Sequence, residues 1–225
     1  MRLLRRGVIP LTGQVPPPSE RQILRALRIP HAQRIAEVEE RGVREAIELA
    51  ARRARGMAAF SGVFRTARVK ERTGEGVLVE GAPPGLLRSG AVVRLLEPAE
   101  EVAILAVTLG ERWDEELDAL VARGEPAEAW FLDALGTHMV DQAARVVEAR
   151  VASDMARAGL ERTPRYRPGY GNWTLEAQAD LCSFVESARI GVHPNEAMSL
   201  LPRKSVTGVV GFGPALPPAS ARNPG

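Results

Sequence analysis

An α+β fold is predicted for this chain of 225 residues. Short apolar runs of strand length mix with amphipathic helical runs, without the regular spacing of a doubly wound sheet. The composition, 45% hydrophobic and 26% charged, is typical of a globular protein, and a chain of this length can bury a sizeable core. We therefore expect one domain over residues 19–213, with a first half over 19–125 and a second half over 126–213.

The first elements of the chain are predicted to be helices. Ser19 is a good N-cap for a short helix that reaches residue 29, and Pro30 ends it. Apolar residues at helical spacing then predict a longer helix over residues 32–54. Two strands, over residues 57–69 and 77–80, follow with a turn between them, so we expect an antiparallel hairpin.

Residues 86–96 are predicted to form either a short helix or a turn-rich segment, and Ser89 is available as a helix cap. The apolar run 102–108 has the length and continuity of a buried strand. After a helix over residues 111–122, the longest predicted helix begins at Pro126, because proline suits the first helical position, and it plausibly reaches Ala158.

The last third is predicted to contain a helix over residues 175–190 and a strand over 205–212. Both ends of the chain are rich in proline. We expect residues 1–18 to form a flexible segment and residues 214–225 to form a disordered tail, because such sequences favour extended, unpacked backbone.

The charges of the chain argue against a nucleic-acid partner. Basic and acidic residues are interleaved, as in residues 37–45, which is typical of solvated helix faces, and no nucleic-acid-binding motif is present. No apolar run reaches eighteen residues, and no signal peptide is recognisable. Cys182 is the only cysteine and paired zinc ligands are absent. We expect a cytoplasmic protein without a membrane span, a disulfide or a metal site.

The most specific pattern is a series of motifs that begins with Arg-Tyr-Arg-Pro-Gly-Tyr at residues 165–170. The guanidinium of Arg165 suits a carboxylate, Gly169 permits close backbone approach, and Tyr170 supplies a flat face and a hydroxyl. On the residues alone, this loop either holds an amino-acid carboxylate and an adenosine or is a surface turn with solvated arginines. An amphipathic run and a Ser-Val-Thr-Gly turn at residues 205–208 complete the series.

This ordered series resembles the C-terminal activation domain of cobalamin-dependent methionine synthase, which binds S-adenosylmethionine and uses it to remethylate an oxidised corrinoid. The resemblance covers roughly residues 130–214. It implies a twisted, mainly antiparallel sheet flanked by helices, and it implies that Arg165, Gly169 and Tyr170 contact S-adenosylmethionine. No residue is assigned a catalytic acid or base role.

Asp141 lies on the long predicted helix, with His138 and Arg145 on the same face and Glu148 further along. On the residues alone, an exposed ion pair with Arg145 is the simpler interpretation. The family places a glutamate at this point that contacts S-adenosylmethionine. The resemblance therefore implies a ligand contact for Asp141. Aspartate carries the same negative charge as the family's glutamate, but its side chain is shorter.

The resemblance implies contacts in two further places. Val210 and Gly211 follow the Ser-Val-Thr-Gly turn where the family has larger aromatic residues, so only backbone contacts to S-adenosylmethionine are expected from them. A buried edge of the sheet is the alternative interpretation of Val210. Asn172 and Trp173 fall in the loop expected to face the corrinoid. An aromatic ring can shield such a cofactor, but a core anchor is the more frequent use of a loop tryptophan.

No corrinoid-ligand motif is recognisable in the chain, so the resemblance implies that cobalamin is carried by a partner. That partner is a corrinoid-binding protein or a methionine synthase subunit, and flavodoxin or another electron donor is a further expected partner. The implied function is a standalone reactivation subunit of a cobalamin-dependent methyltransferase system. Two alternatives stay open: a non-catalytic docking module for a corrinoid protein, and a regulatory domain that senses S-adenosylmethionine.

Overall fold

The computed structural model describes residues 7–29 and 31–214, and its strands form two antiparallel sheets. The strands are β1 (Ile9–Gln14), β2 (Ala59–Arg72), β3 (Val77–Val79), β4 (Glu101–Thr108), β5 (Glu161–Arg162), β6 (His193–Pro194), β7 (Leu200–Leu201) and β8 (Ser205–Gly213). The main sheet has the order β1-β2-β4-β8-β5, with β3 paired to β2, and β6 pairs with β7.

The helices cover both faces of the main sheet. They are α1 (Glu20–Ala26), α2 (Arg41–Gly56), α3 (Gly90–Leu95), α4 (Arg112–Ala122), α5 (Pro126–Ala156) and α6 (Ala177–Phe184), with short 3-10 turns at Ile35–Glu37 and Ser187–Ile190. The predicted α+β class, with a mainly antiparallel sheet flanked by helices, is confirmed.

The central strand β4 shows why both faces must be covered. All eight of its residues are buried, and their side chains alternate between two cores. Ala103 and Leu105 belong to the core shared with α1, α2, α4 and α5, whereas Val102 and Ile104 belong to the core shared with α3 and α6. The nearly continuous apolar run in the sequence is therefore a strand buried on both sides.

Helix capping in the structure follows the sequence prediction. Ser19 and Gln22 form a capping box at the start of α1, and the Ser89 hydroxyl accepts hydrogen bonds from the first backbone N–H groups of α3. Pro126 begins α5, and β2 and β3 form the predicted hairpin. These local signals predict element boundaries well because they depend on neighbouring residues alone.

The segment over residues 1–18 differs from the flexible one that the proline content predicted. Ile9–Gln14 is strand β1, which pairs antiparallel with the first half of β2 and in which half-buried residues alternate with exposed ones. Because proline lacks an N–H group, an edge strand is the place in a sheet that tolerates Pro10. Residues 1–6, and residues 215–225 of the expected tail, lie outside the described residues.

Two predicted helices are shorter than the periodicity suggested. The helix expected over residues 32–54 begins only at Arg41. The Glu37 carboxylate caps the start of a single 3-10 turn, and the backbone is extended at Val38 and Glu40, between that turn and α2. The helix expected over 175–190 is interrupted at Glu186, whose φ of 54° is left-handed. Among the described residues, no helix is both long enough and apolar enough to cross a membrane.

Candidate functional site

The first site motif lies along the outer edge of β8. The Thr163 N–H donates to the Gly211 carbonyl at 2.9 Å, and Tyr166 and Val209 exchange two backbone hydrogen bonds of 2.9 Å. Residues 163–166 therefore extend the sheet edge beyond β5. Because side chains alternate along an extended segment, Arg165 and Tyr166 point to opposite sides of the sheet.

Arg165 lies between β8 and α5. Its aliphatic chain covers Gly208, where a Cβ atom would lie only 2.8 Å from the Arg165 Cγ. Its guanidinium donates a hydrogen bond to the Asp141 carboxylate, and its Nη1 lies 2.8 Å from the Glu148 Oε1. The structure thus brings the two principal predicted residues, Arg165 and Asp141, into direct contact.

Glu148 joins a second arginine to this group. Its Oε2 accepts a hydrogen bond of 2.7 Å from the Arg162 Nη1. Both Glu148 and Arg165 are almost fully buried, with side-chain exposures of 6% and 9%. The facing Oε1 and Nη1 atoms are close but not aligned as a hydrogen bond, so the Nη1 of Arg165 retains unused donor capacity.

Asp141 lies at the rim of this charge network, with 30% of its side chain exposed. Its Oδ2 accepts a second hydrogen bond, of 3.1 Å, from the Arg145 Nε one helical turn along. Burial alone would raise the pKa of Asp141, but the charges of Arg165 and Arg145 outweigh it and hold that pKa below its ordinary value. Asp141 is therefore a carboxylate at neutral pH.

His138 lies near Asp141 on the same helix, and its Nε2 atom is buried without a hydrogen-bond partner. Burial lowers the pKa of His138, and the Asp141 charge opposes that shift only in part. The imidazole is accordingly neutral near pH 7 and supplies no charge to the site.

Aromatic rings cluster on the other side of the sheet. Tyr166 stacks on Trp173 with ring centres 6.1 Å apart and an angle of 7° between the planes. Gly171 has a φ of 56°, and a Cβ atom there would lie 2.6 Å from the Tyr166 hydroxyl. Glycine is thus required both by the backbone conformation and by the ring that it faces.

Tyr170 is the exposed member of this cluster, with 53% of its surface accessible. Its hydroxyl accepts a hydrogen bond of 2.6 Å from the Arg167 Nη2, and the Arg167 guanidinium lies 4.9 Å from its ring centre. The Gly169 N–H donates to the Trp173 carbonyl at 2.7 Å, and the φ of 88° at Gly169 allows the turn. The Pro-Gly turn therefore holds Tyr170 at the surface.

Asn172 and Trp173 both have structural contacts, but only Trp173 is buried away from a corrinoid, whereas Asn172 is exposed. The Asn172 Oδ1 accepts hydrogen bonds from the Ser89 hydroxyl at 2.7 Å and from the Ala91 N–H at 3.1 Å, so it fastens the loop to the start of α3. Trp173 is only 2% exposed and packs in the core beside α3 and α6. Trp173 is therefore a core anchor, which was the alternative role considered for it from the sequence.

Val210 and Gly211 are also enclosed. Val210 is 1% exposed and packs under α5. The Gly211 N–H donates to the Thr163 Oγ1 and its carbonyl accepts from the Thr163 N–H, both at 2.9 Å. The backbone groups expected to bind a ligand at Gly211 are therefore already paired within the chain.

The predicted residues thus form two groups separated by the edge of the sheet. Arg165 and Asp141 lie on the α5 side, and the Tyr170 loop lies on the α3 side. Sequence reasoning assigned no role to Glu148, Arg162 or Gly208, which complete the first group. A signal existed for Glu148, because a residue seven positions after Asp141 lies on the same helix face.

Comparison with known proteins identifies the fold. No family model matches the chain, and no curated protein matches it. Among solved structures, the crystal structure of the MetH reactivation domain bound to AdoHcy is similar, with a TM-score of 0.65 and 15% sequence identity, over 95% of this chain and 80% of that chain. At this identity the similarity shows the fold: the chain is folded like the reactivation domain of MetH, as the motif resemblance implied.

Proposed function

We propose that this protein binds S-adenosylmethionine at the Arg165–Asp141 group and delivers its methyl group to cobalamin on a separate corrinoid-binding protein. The observation that carries the proposal is the direct contact between Arg165 and Asp141 in a fold shared with a domain solved with AdoHcy. The motif and the helix meet although 24 residues separate them.

The chemistry of the ligand matches the charges of the group. S-adenosylmethionine carries a carboxylate, an ammonium group and a sulfonium, so its amino-acid end needs one cation and at least one anion. Arg165 supplies a fork of donors for the carboxylate. Asp141 and Glu148 supply negative charge for the two cationic groups, and Asp141 reaches solvent while Glu148 does not.

Binding at this position requires an exchange of partners. The ligand carboxylate takes the place of Asp141 on Arg165, and Asp141 keeps its hydrogen bond to Arg145. Glu148 remains beneath Arg165 and is held by Arg162. The exposed ring of Tyr170 offers a face on which an adenine can stack, and a ligand that uses it must cross the sheet edge from the α5 side to the α3 side.

In the proposed reaction an external one-electron donor, such as flavodoxin, reduces the cobalt. The methyl carbon then bonds to the cobalt while its bond to sulfur breaks, and the electron pair stays on sulfur to give AdoHcy. The protein contributes orientation of the methyl group and exclusion of water, so no acid or base residue is required.

One observation favours a second candidate, the docking module that binds a corrinoid protein without S-adenosylmethionine. Arg165 is already ion-paired to Asp141 and Glu148, and the Gly211 backbone is already hydrogen-bonded to Thr163. If the exchange at Arg165 is too costly, the same fold serves only as a binding partner.

Calorimetric titration with S-adenosylmethionine and AdoHcy tests the proposal. We expect saturable binding that Arg165→Lys weakens by at least about tenfold, because lysine cannot form the bidentate contact. Arg162→Lys is the matched control, since Arg162 binds the same Glu148 without facing Asp141, and we expect less than about threefold change.

The remaining alternatives separate in the same experiment. An absence of heat at millimolar ligand selects the docking module. If the ligand binds, the cobalamin-carrying subunit of a methionine synthase is added with a chemical reductant, and methylcobalamin is followed by absorbance. Ligand binding without a complex or methyl transfer selects the regulatory sensor.

A further inference from the structure

A cavity of about 570 Å³ lies beside α1, and none of its lining residues belongs to the Arg165–Asp141 group. Its apolar lining includes Leu24, which is 1% exposed, together with Ile29 and Ala32. Cavities of roughly 300–1,000 Å³ are the usual size for small-molecule sites. The volume and the apolar lining therefore fit a small organic molecule.

Three arginines line the same cavity: Arg21, Arg25 and Arg28. Arg21 and Arg25 are four residues apart on α1 and share one face of the helix, where like charges repel. Arg28 follows the helix with a φ of 57°, a conformation uncommon for residues other than glycine. The segment thus concentrates positive charge at a local electrostatic cost.

The neighbouring carboxylates do not neutralise this charge. The Glu20 Oε2 accepts a hydrogen bond of 2.8 Å from the Ile35 N–H, and Glu37 binds the backbone N–H of Gln33 at 2.8 Å and the side chain of Arg34. Within residues 7–29 and 31–214, the three cavity arginines have no ion pair within 4.0 Å. Their donors are available to an anion from outside.

We infer that this cavity binds a small phosphorylated molecule that carries an apolar group, such as a nucleoside diphosphate. The guanidinium fork matches two phosphate oxygens at once, and several arginines can share a diphosphate. The Leu24, Ile29 and Ala32 surface accommodates the apolar group. The inference is independent of the S-adenosylmethionine proposal, since none of these residues belongs to the Arg165 group.

Calorimetry on the full chain tests the inference, with ADP and inorganic pyrophosphate as probes at one fixed ionic strength. We expect saturable ADP binding, at least about threefold tighter than pyrophosphate because of the apolar lining. The double variant Arg25→Gln/Arg28→Gln should weaken ADP binding by at least about tenfold. It should leave S-adenosylmethionine affinity unchanged.

Arg52→Gln/Arg55→Gln is the matched control, because both residues are exposed on α2 and the variant changes the net charge equally. Equal loss of ADP binding in the two double variants would show non-specific attraction and overturn the inference. So would an absence of saturable binding by the parent protein, or tighter binding of a polyglutamate peptide than of ADP. Circular dichroism of each variant establishes that it is folded.

Discussion

Arginines are used in opposite ways in two regions of this molecule. In the network around α5, Arg162 and Arg165 are bound by the carboxylates of Asp141 and Glu148 within the chain. Beside α1, the three cavity arginines have no carboxylate partner in the described part of the chain. The first arrangement stabilises the fold, whereas the second leaves its charge free for a ligand.

The contrast shows that a motif arginine is not automatically an open binding site. Burial at Arg165 demands partners, because an unpaired buried charge is very costly. A ligand of the α5 network must therefore replace an internal partner, and its net affinity is reduced by the loss of that contact. A ligand of the α1 cavity breaks no ion pair of the cavity arginines within the described part of the chain.

Glu148→Ala should produce the largest loss of stability, because it leaves Arg165 with one partner at the rim and Arg162 with none in the network. Removing one member of a buried ion pair typically costs about 3–5 kcal/mol. We expect a decrease of this size in the free energy of unfolding, measured by urea denaturation.

The exposed Glu161→Ala is the control for that measurement, and its effect should stay within about 0.5 kcal/mol. Arg25→Gln/Arg28→Gln should leave stability unchanged or slightly raised, because it relieves repulsion between like charges. A loss below about 1 kcal/mol for Glu148→Ala would mean that the two arginine regions do not differ in the way described.

Gly208→Ala tests the packing of Arg165 in the α5 network, because it displaces the Arg165 side chain without removing a charge. The new Cβ atom would lie 2.8 Å from the Arg165 Cγ and 2.9 Å from the Tyr166 carbonyl oxygen. Overpacking of this kind lowers the free energy of unfolding by about 1–3 kcal/mol, and thermal and urea unfolding will detect that decrease.

Gly42→Ala is the matched substitution, because open space surrounds Gly42 near the start of α2. Alanine favours the helix over glycine by up to about 1 kcal/mol, so this variant should be neutral or more stable. Equal losses for the two variants would remove the argument that Gly208 makes room for Arg165.

Asp141→Asn should cause the smallest decrease in the free energy of unfolding, and that decrease should depend on pH. The pKa of Asp141 is lowered by Arg165 and Arg145, so its charge stabilises the folded state above the unfolded-state pKa of about 3.8. With 30% of the side chain exposed, we expect about 1 kcal/mol at pH 7. That difference should disappear as the pH falls through the lowered pKa of the folded state, and urea denaturation between pH 2 and 7 will measure it.

Local rules predicted much of this fold from the sequence. The apolar run before Gly110 is the doubly buried strand β4, and Ser19, Ser89 and Pro126 each begin the helix expected of them. Such features depend on propensity, capping and periodicity over a few residues. The predicted domain boundaries have no direct test in the structure.

The failures share a tertiary cause. The predicted helix included residues 32–40, where the Ile35 N–H is bound by the Glu20 carboxylate from α1. The proline content likewise concealed strand β1, which needs β2 as its partner. The site followed the same pattern: Asp141 and Arg165 were chosen separately, but their mutual contact and the role of Glu148 depend on how the motif loop lies across α5. Contacts between distant segments leave no local signal.

The loop that carries the motif also pairs with an edge of β8 that would otherwise lack hydrogen-bonding partners. Thr163 and Tyr166 occupy the hydrogen-bonding groups of β8 that β5, only two residues long, leaves unpaired. Unpaired strand edges are templates on which other chains aggregate. A rearrangement that lifts this loop would expose those backbone groups of β8, and we expect it to promote self-association.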